Sequence, residues 1–204
     1  MLYFKLLGME INLNCDLGEK SKHHSNENDP ELLKIVNSAN VACGYHAGDE
    51  QTMQEVVKIS KENNVSIGAH PSFKDPENFG RKRMDLSASE ITKLVTDQYE
   101  ILQNIASLQG EKVSHIKPHG ALNNMACEDL ELATTLAKTI YHIDKDIIYL
   151  VPTGSKMEIA AKKLNMKIAC EIFADRNYED DGNLVSRKKP HALITDPEEA
   201  KKHV

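Results

Sequence analysis

The chain has 204 residues and a formal net charge of −6, with 31 acidic and 25 basic side chains. This negative balance argues against a surface dedicated to nucleic acid or to anionic membranes, because both need a basic face. No apolar run approaches the roughly 20 residues that span a bilayer, and the opening MLYFKLLG lacks the cleavage site of a secretion signal. We expect a cytoplasmic protein, with residues 1–8 as an extension and residues 9–204 as one domain.

Six short apolar runs alternate with longer helical patterns along the chain. Their residues are largely β-branched and nearly continuous, which is typical of strands that are buried on both faces. The predicted strands are Ile11–Cys15, Asn40–Cys43, Val65–Ala69, Val113–Ile116, Ile147–Val151 and Lys167–Phe173.

Helix start and stop signals stand between these runs. Asp29, which is followed by proline, and Asp49 each predict an N-cap. Ser87 and Glu90 have the spacing of a capping box, in front of a long helical pattern that ends at Gly110. Strand–helix alternation throughout predicts an α/β fold with parallel strands.

A doubly wound sheet and a β/α barrel both fit this alternation. In a doubly wound sheet the site gathers at one switch point, whereas in a barrel every strand end contributes. Reactive side chains follow nearly every predicted strand, which favours the barrel. They are Asp16, His46, His70, Lys117 with His119, and the stretch from Glu171 to Arg176.

The histidines at three strand ends, together with Asp16, are expected to meet at one mouth of the barrel. A single histidine after a strand is more often a hydrogen-bonded core residue than a catalyst, but convergence indicates a site. Two chemistries remain open: a divalent metal that activates water, or metal-free acid–base catalysis with Lys117 stabilising negative charge. Lys117 favours the second, because its positive charge works against a nearby cation.

Two polar loops have a solvated and a functional interpretation. The basic cluster GRKRM, which contains Arg81, is either a solvated loop or a local anion site. The stretch from Glu171 to Arg187 is either a solvated loop or a substrate clamp, in which an arginine pairs with a carboxylate. No phosphate-binding loop is recognisable, because VPTGSK lacks the first glycine of that motif.

Several long motifs resemble the LamB/YcsF family, which includes one component of bacterial 5-oxoprolinase. They occur in order from about Met9 to the last residue: INLNCDLGE, SANVACGYHAGD, IGAHPSF, FGRKRM, KPHGALNN and EIFADRNYEDDGNLVSR. The resemblance implies a distorted seven-stranded, TIM-like β/α barrel of the glycoside hydrolase/deacetylase type. It also implies opening of the lactam 5-oxoproline to L-glutamate, with ATP as co-substrate and with B and C subunits as partners.

This reaction gives the polar residues roles. Phosphorylation by ATP turns the lactam into a good electrophile, so that water attacks and phosphate leaves. Lys117 and Arg81 are the candidates for phosphate, and Arg176 is the candidate for the substrate carboxylate. The expected catalytic residues are Asp16, His46, His70, Lys117 and His119, and the expected substrate-binding residues are Asn14, Arg81, Asn124, Glu171, Asp175 and Arg176. A divalent metal is left open.

The chain also departs from the family pattern. Asn123 stands where the family usually has tyrosine, and family chains continue to a final strand that ends in His-Gly-Asp. The barrel is therefore expected to lack its closing strand and to depend on partners or on other copies of itself. Two alternatives stay open: a metal-dependent amidase or deacetylase-like hydrolase, and a truncated non-catalytic scaffold of the same fold.

Overall fold

The computed structural model describes residues 5–6, 9–22 and 24–204. Most of the predicted N-terminal extension, namely residues 1–4, 7 and 8, lies outside the described residues. Within the described part, strand β1 (Lys5–Leu6) pairs antiparallel with strand β2 (Met9–Glu10).

Six further strands form one parallel sheet in which the neighbours follow chain order. They are β3 (Asn14–Leu17), β4 (Ser38–Ala42), β5 (Ser66–His70), β6 (Val113–Ile116), β7 (Ile148–Pro152) and β8 (Ile168–Glu171). A doubly wound sheet would reverse its order at a switch point, whereas a barrel adds each strand beside the last. The predicted α/β class is confirmed, and the six described strands are consistent with a TIM-like barrel.

The sheet is strongly curled, because side chains from its first and last strands touch. Neighbouring strands lie about 4.8 Å apart, so β3 and β8 would be about 24 Å apart in a flat sheet. Instead, the amide nitrogen of Asn14 on β3 lies 3.4 Å from a carboxylate oxygen of Glu171 on β8. The described strands therefore form a curved half-barrel that encloses an interior.

Helices cover the outer face of the sheet and close the hydrophobic core against it. They are α1 (Asp29–Leu32), α2 (Glu50–Glu62), α3 (Ala88–Leu108), α4 (Gly120–Glu128), α5 (Leu130–Ile143) and α6 (Lys156–Lys163), with a 3₁₀ turn at Pro76–Asn78. The last helix, α7 (Pro197–His203), buries none of its residues. Among the described helices, none combines the length and the apolar character needed to cross a bilayer. The fully buried core side chains between sheet and helices include Val57, Val95, Leu102, Leu136 and Ile140.

The predicted caps are confirmed for α2 and α3, but Asp29 does something else. Ser87 and Glu90 form the reciprocal capping box of α3, and Asp49 accepts the backbone N–H of Thr52 at 2.8 Å. Asp29 lies inside α1, whose N-cap is Asn28, and its carboxylate accepts the backbone N–H of Gly18 at 2.7 Å. Tertiary contact with the loop after β3 therefore determines the role of Asp29.

We expect Ser87→Ala to lower the free energy of unfolding by about 1 kcal/mol, because the first turn of α3 loses its cap. For a chain of this length, this corresponds to about 2–4 °C in thermal unfolding. Glu100→Ala is the control: it changes an exposed side chain further along the same helix and leaves the Ser87–Glu90 pair and its neighbours in place. Equal effects of the two substitutions would show that the cap contributes nothing.

Candidate active site

A row of polar residues lines the inside of the half-barrel. Asp16, Asn40, Gly68 and His115 are in register on four neighbouring strands, so their side chains share one face. The Asn40 amide donates to Asp16 at 2.9 Å, and Nε2 of His115 lies 3.0 Å from the Asn40 carbonyl oxygen. Barrel interiors are usually filled by branched apolar residues. The polar, hydrogen-bonded interior of this half-barrel therefore indicates a functional site.

Gly68 makes room for the His115 ring. A Cβ atom at position 68 would lie 2.1 Å from Nε2 of His115, which is far inside van der Waals contact. The ring is almost fully buried, and burial, followed by the charge of Lys117, lowers the pKa of His115 to about 4. His115 is therefore a neutral hydrogen-bonding residue, and its place in the interior depends on glycine at position 68.

Lys117 is the charged centre of the interior. Its side chain is 5% exposed, and its Nζ lies 3.1 Å from Asp16 Oδ1 and 3.1 Å from Glu171 Oε2. Asn14 Oδ1 accepts a third hydrogen bond at 3.3 Å. Burial lowers the pKa of Lys117, but the two carboxylates outweigh burial and hold the pKa above its usual value. The ammonium is therefore charged, and its charge is balanced locally.

Only one of the two carboxylate oxygens of Glu171 is hydrogen-bonded to a described residue. Its Oε2 contacts Lys117 and Asn14, whereas Oε1 is buried and has no hydrogen-bond partner among the described residues. Burial raises the pKa of Glu171, and Lys117 offsets part of that increase. A buried acceptor without a partner is unfavourable, so Oε1 is a natural acceptor for an N–H or O–H group of a ligand.

The three predicted histidines do meet. The rings of His46 and His119 are stacked, with centroids 3.8 Å apart, and the ring of His70 meets that of His119 edge-on at 4.8 Å. Nε2 of His70 lies 3.0 Å from Nδ1 of His119 and 3.4 Å from Asp16 Oδ2. Asp16 thus joins the histidines to the Lys117 centre, and the predicted convergence at one barrel mouth is confirmed.

The same region contains an acidic residue that the sequence analysis did not select. Glu19 is 8% exposed, and its Oε1 lies 3.0 Å from Nε2 of His46 and 3.3 Å from Nδ1 of His119. Glu19, His46, His70 and His119 each offer one ligand atom, and these atoms all lie within 4.8 Å of one another, which is the spacing of metal ligands. We call these four residues the Glu–His cluster.

The surroundings separate the protonation states of the histidines. Burial lowers the pKa of His46 to about 3, and burial together with the other two histidines lowers that of His119. Burial also acts to lower the pKa of His70, but Asp16 outweighs it and the pKa is raised. For Asp16, burial acts to raise the pKa, but His70 and Lys117 outweigh it and the pKa is lowered. The site therefore combines neutral and charged imidazoles with an ionised carboxylate.

A second layer of contacts connects the cluster to helix α3. Oγ of Ser72 lies 2.8 Å from Nδ1 of His46, and the backbone of Ser72 exchanges two hydrogen bonds with the buried amide of Gln98, at 2.9 and 3.0 Å. Gly80 packs against Cβ of His46 and the ring of His119, and a Cβ atom at position 80 would lie 2.9 Å from the first and 3.0 Å from Cδ2 of the second. These contacts fix the orientation of the rings.

The remaining predicted residues lie further out. Arg81 is exposed beside Gly80, with its guanidinium 4.8 Å from the centre of the Phe79 ring. Arg176 is buried, and it donates to the carbonyl oxygens of Ala192 at 3.2 Å and Val185 at 2.7 Å. It therefore holds the 177–194 loop in this structure.

Two more predicted residues are exposed. The Asn124 side chain contacts neighbouring Asn123, and the backbone carbonyl of Asp175 accepts from Ile194. The substrate-binding roles of Arg81, Arg176, Asn124 and Asp175 stay predictions.

Simple signals in the sequence could have indicated two of the three missed residues. His115 stands two positions before Lys117, so strand alternation places both on one face. Glu19 stands three positions after Asp16, just beyond the same strand. Asn40 lies inside β4 and gives no signal without the register that pairs it with Asp16.

Comparisons with known proteins point in one direction. The model of the LamB/YcsF family matches residues 11–204. A protein from Rhodopseudomonas palustris that is named as the A subunit of 5-oxoprolinase is 47% identical over 197 residues, which cover 96% of this chain and 78% of that protein. A protein of the same name from Staphylococcus aureus is 44% identical over 196 residues, with the same coverage of both chains. The crystal structure of a lactam utilization protein from Thermus thermophilus matches with a TM-score of 0.88 at 37% identity, covering 95% of this chain and 78% of that one.

We expect Gly68→Ala to destabilise the protein by about 1–3 kcal/mol or more, because the new methyl group overlaps the His115 ring. His115→Ala in the same chain should restore part of this loss, which gives a coupling energy in a double-mutant cycle measured by chemical denaturation. Ser66→Ala, an exposed change on the same strand, is the control. Strictly additive effects of the Gly68 and His115 substitutions would contradict this account of the interior.

Proposed function

The chain belongs to the LamB/YcsF family, and from that premise we propose that it is the A-type subunit of an ATP-dependent 5-oxoprolinase. In this proposal it acts with B and C subunits in the cytoplasm and opens the lactam of 5-oxoproline to L-glutamate. The proposal includes closure of the half-barrel by a seventh strand and leaves room for self-association. The observation that carries it is the buried Lys117 ammonium, held between two carboxylates beside the Glu–His cluster.

The reaction proceeds in three steps. The lactam oxygen takes the γ-phosphoryl group of ATP, and ADP leaves. Water then adds to the activated ring carbon and loses a proton, the ring C–N bond breaks, and the nitrogen gains a proton. The resulting acyl phosphate releases phosphate to a second water, so that 5-oxoproline, ATP and two waters yield L-glutamate, ADP and phosphate.

The residues at the barrel mouth fit the needs of this sequence. Lys117 stabilises the negative charge that develops on the lactam oxygen or on its phosphoryl group. The free Oε1 of Glu171 accepts the lactam N–H, and the Glu–His cluster with Asp16 activates the water.

Arginine side chains near the barrel mouth, Arg81 and Arg187, support phosphate binding. Burial lowers the pKa of Arg81, and the nearby charge of Arg187 lowers it further. Burial and the same neighbour also lower the pKa of Arg176. Exposed cations that repel one another gain when a polyanion binds between them, so Arg81 and Arg187 are our candidates for the phosphates of ATP, whereas the guanidinium of Arg176 is occupied by backbone carbonyls.

A metal-dependent amide hydrolase is the second candidate, favoured by the spacing of the Glu–His cluster. The two functions differ in their need for ATP. Such a hydrolase would open its substrate without ATP and without B and C subunits.

The direct test is an assay of 5-oxoproline hydrolysis. The chain is combined with B and C subunits, and L-glutamate and phosphate are measured with and without ATP. We expect both products in equal amounts, only when ATP and all three subunits are present. No glutamate in the complete mixture would refute the proposal, and glutamate formation without ATP would favour the second candidate.

We expect Lys117→Met to lower kcat by at least about 100-fold, because the developing charge loses its stabilising cation. The variant should also lose stability, because Glu171 is left buried without its partner.

A double variant separates the two effects. Lys117→Met with Glu171→Gln should recover stability but not activity, and the exposed Lys112→Met is the control. Wild-type turnover in either Lys117 variant would show that the lysine has only a structural role.

A further inference from the structure

The outer nitrogens of the three clustered histidines all face hydrogen-bond acceptors. Nδ1 of His70 lies 2.6 Å from the carbonyl oxygen of Lys117, and Nε2 of His119 lies 3.0 Å from that of Phe79. Nδ1 of His46 faces the hydroxyl of Ser72, whose own proton is donated to the Phe73 carbonyl at 2.9 Å. The outer nitrogens of His70 and His119 must therefore carry the proton, and that of His46 carries it when Ser72 donates to Phe73.

A neutral imidazole has one N–H, so each inner nitrogen presents a lone pair. The inner nitrogens are Nε2 of His46, Nε2 of His70 and Nδ1 of His119. They face one another and the carboxylate of Glu19 at 3.0 to 3.9 Å. Four acceptors are thus gathered at close range without a donor among them.

Protonation relieves only part of this repulsion. A proton on His70 satisfies its contact with His119. Nε2 of His46 then still faces Oε1 of Glu19 at 3.0 Å. One cation in the middle satisfies all four acceptors at once.

We propose that the Glu–His cluster binds one divalent transition-metal ion of the zinc type, with Glu19, His46, His70 and His119 as ligands. Zinc–nitrogen bonds of about 2.0–2.1 Å place tetrahedral ligand atoms about 3.3 Å apart. The four contacts within the cluster, at 3.0, 3.0, 3.3 and 3.9 Å, bracket this value. Three imidazoles favour zinc over magnesium, which prefers oxygen ligands.

Two features of the surroundings bear on the binding of this ion. The positive charge of Lys117 is already balanced by Asp16 and Glu171, so it does not exclude a cation next to Asp16. The stacked rings of His46 and His119 are within 8° of parallel, so one of them must tilt for both lone pairs to reach the ion. The hydrogen bonds on the outer nitrogens, which fix ligand orientation in metal sites, can serve as pivots for that tilt.

Four protein ligands fill a tetrahedral site, so the ion would take water only as a fifth ligand, and it would then supply a Lewis acid and a bound water of lowered pKa. This role rests on the proposed function, whereas the binding site itself does not. In this refinement the three histidines are ligands rather than acid–base groups. Asp16, 3.4 Å from His70, remains the carboxylate beside the cluster and the candidate to accept a proton from water.

The test is metal binding by the chain alone. Protein freed of metal by a chelator is titrated with Zn²⁺ by calorimetry, and bound metal is counted by elemental analysis. We expect one equivalent of Zn²⁺ and at least 100-fold weaker binding of Mg²⁺. A folded wild-type chain that takes up no stoichiometric zinc would overturn the proposal.

Variants locate the ion. Glu19→Gln and His119→Ala should weaken zinc binding by more than about 100-fold, and Ser72→Ala by about 10–100-fold, because loss of a supporting hydrogen bond typically has that effect. The exposed His142→Ala is the control for adventitious binding by a surface histidine. Circular dichroism checks folding, and if His119→Ala unfolds, the isosteric Glu19→Gln variant decides. If a folded Glu19→Gln variant binds zinc with unchanged affinity, the zinc site does not lie at this cluster.

A parallel assay separates this inference from the proposed function. Zinc bound at the cluster without ATP-dependent hydrolysis by the complete complex would leave the site standing and refute the function. ATP-dependent hydrolysis by a complex whose A-type chain takes up no zinc in the titration would do the opposite.

Discussion

The contact between the Lys117 ammonium and two carboxylates determines both the shape of the sheet and the chemistry of its interior. Lys117 follows β6, in the middle of the sheet, while Asp16 and Glu171 belong to the two edge strands β3 and β8. A buried charge is tolerated only when it is paired and hydrogen-bonded. The curl of the sheet brings the edge strands to the lysine, and the lysine in turn ties those strands together.

The hydrophobic core consequently lies on the convex side of the sheet, between the strands and the helices. Apolar residues fill the layer between strands and helices, while the concave face carries polar side chains that support one another. Glycine at position 68 and the amide of Asn40 allow His115 to fit behind Lys117. A rigid, hydrogen-bonded interior of this kind holds reactive groups in place without relying on flexible loops.

Sequence patterns predicted the elements well and their partners less well. Strand ends and helix caps are local features, so the placement of His46, His70 and His119 could be inferred from position alone. The partners of a side chain depend on register and curl, which local patterns do not contain. For this reason the sequence does not indicate the contacts of Glu19 with the histidines, of Asp29 with Gly18, or of Arg176 with backbone carbonyls.

The contact between Asn14 and Glu171 joins residues 157 positions apart in the chain. Closing a loop of that length costs conformational entropy, and this cost must be met before the contact contributes any stability. The helices and neighbouring strand pairs consist of closer contacts and can form first. The reactive centre therefore depends on a contact that most of the core does not need, and partial opening at the β3–β8 seam would abolish the site while leaving most of the core intact.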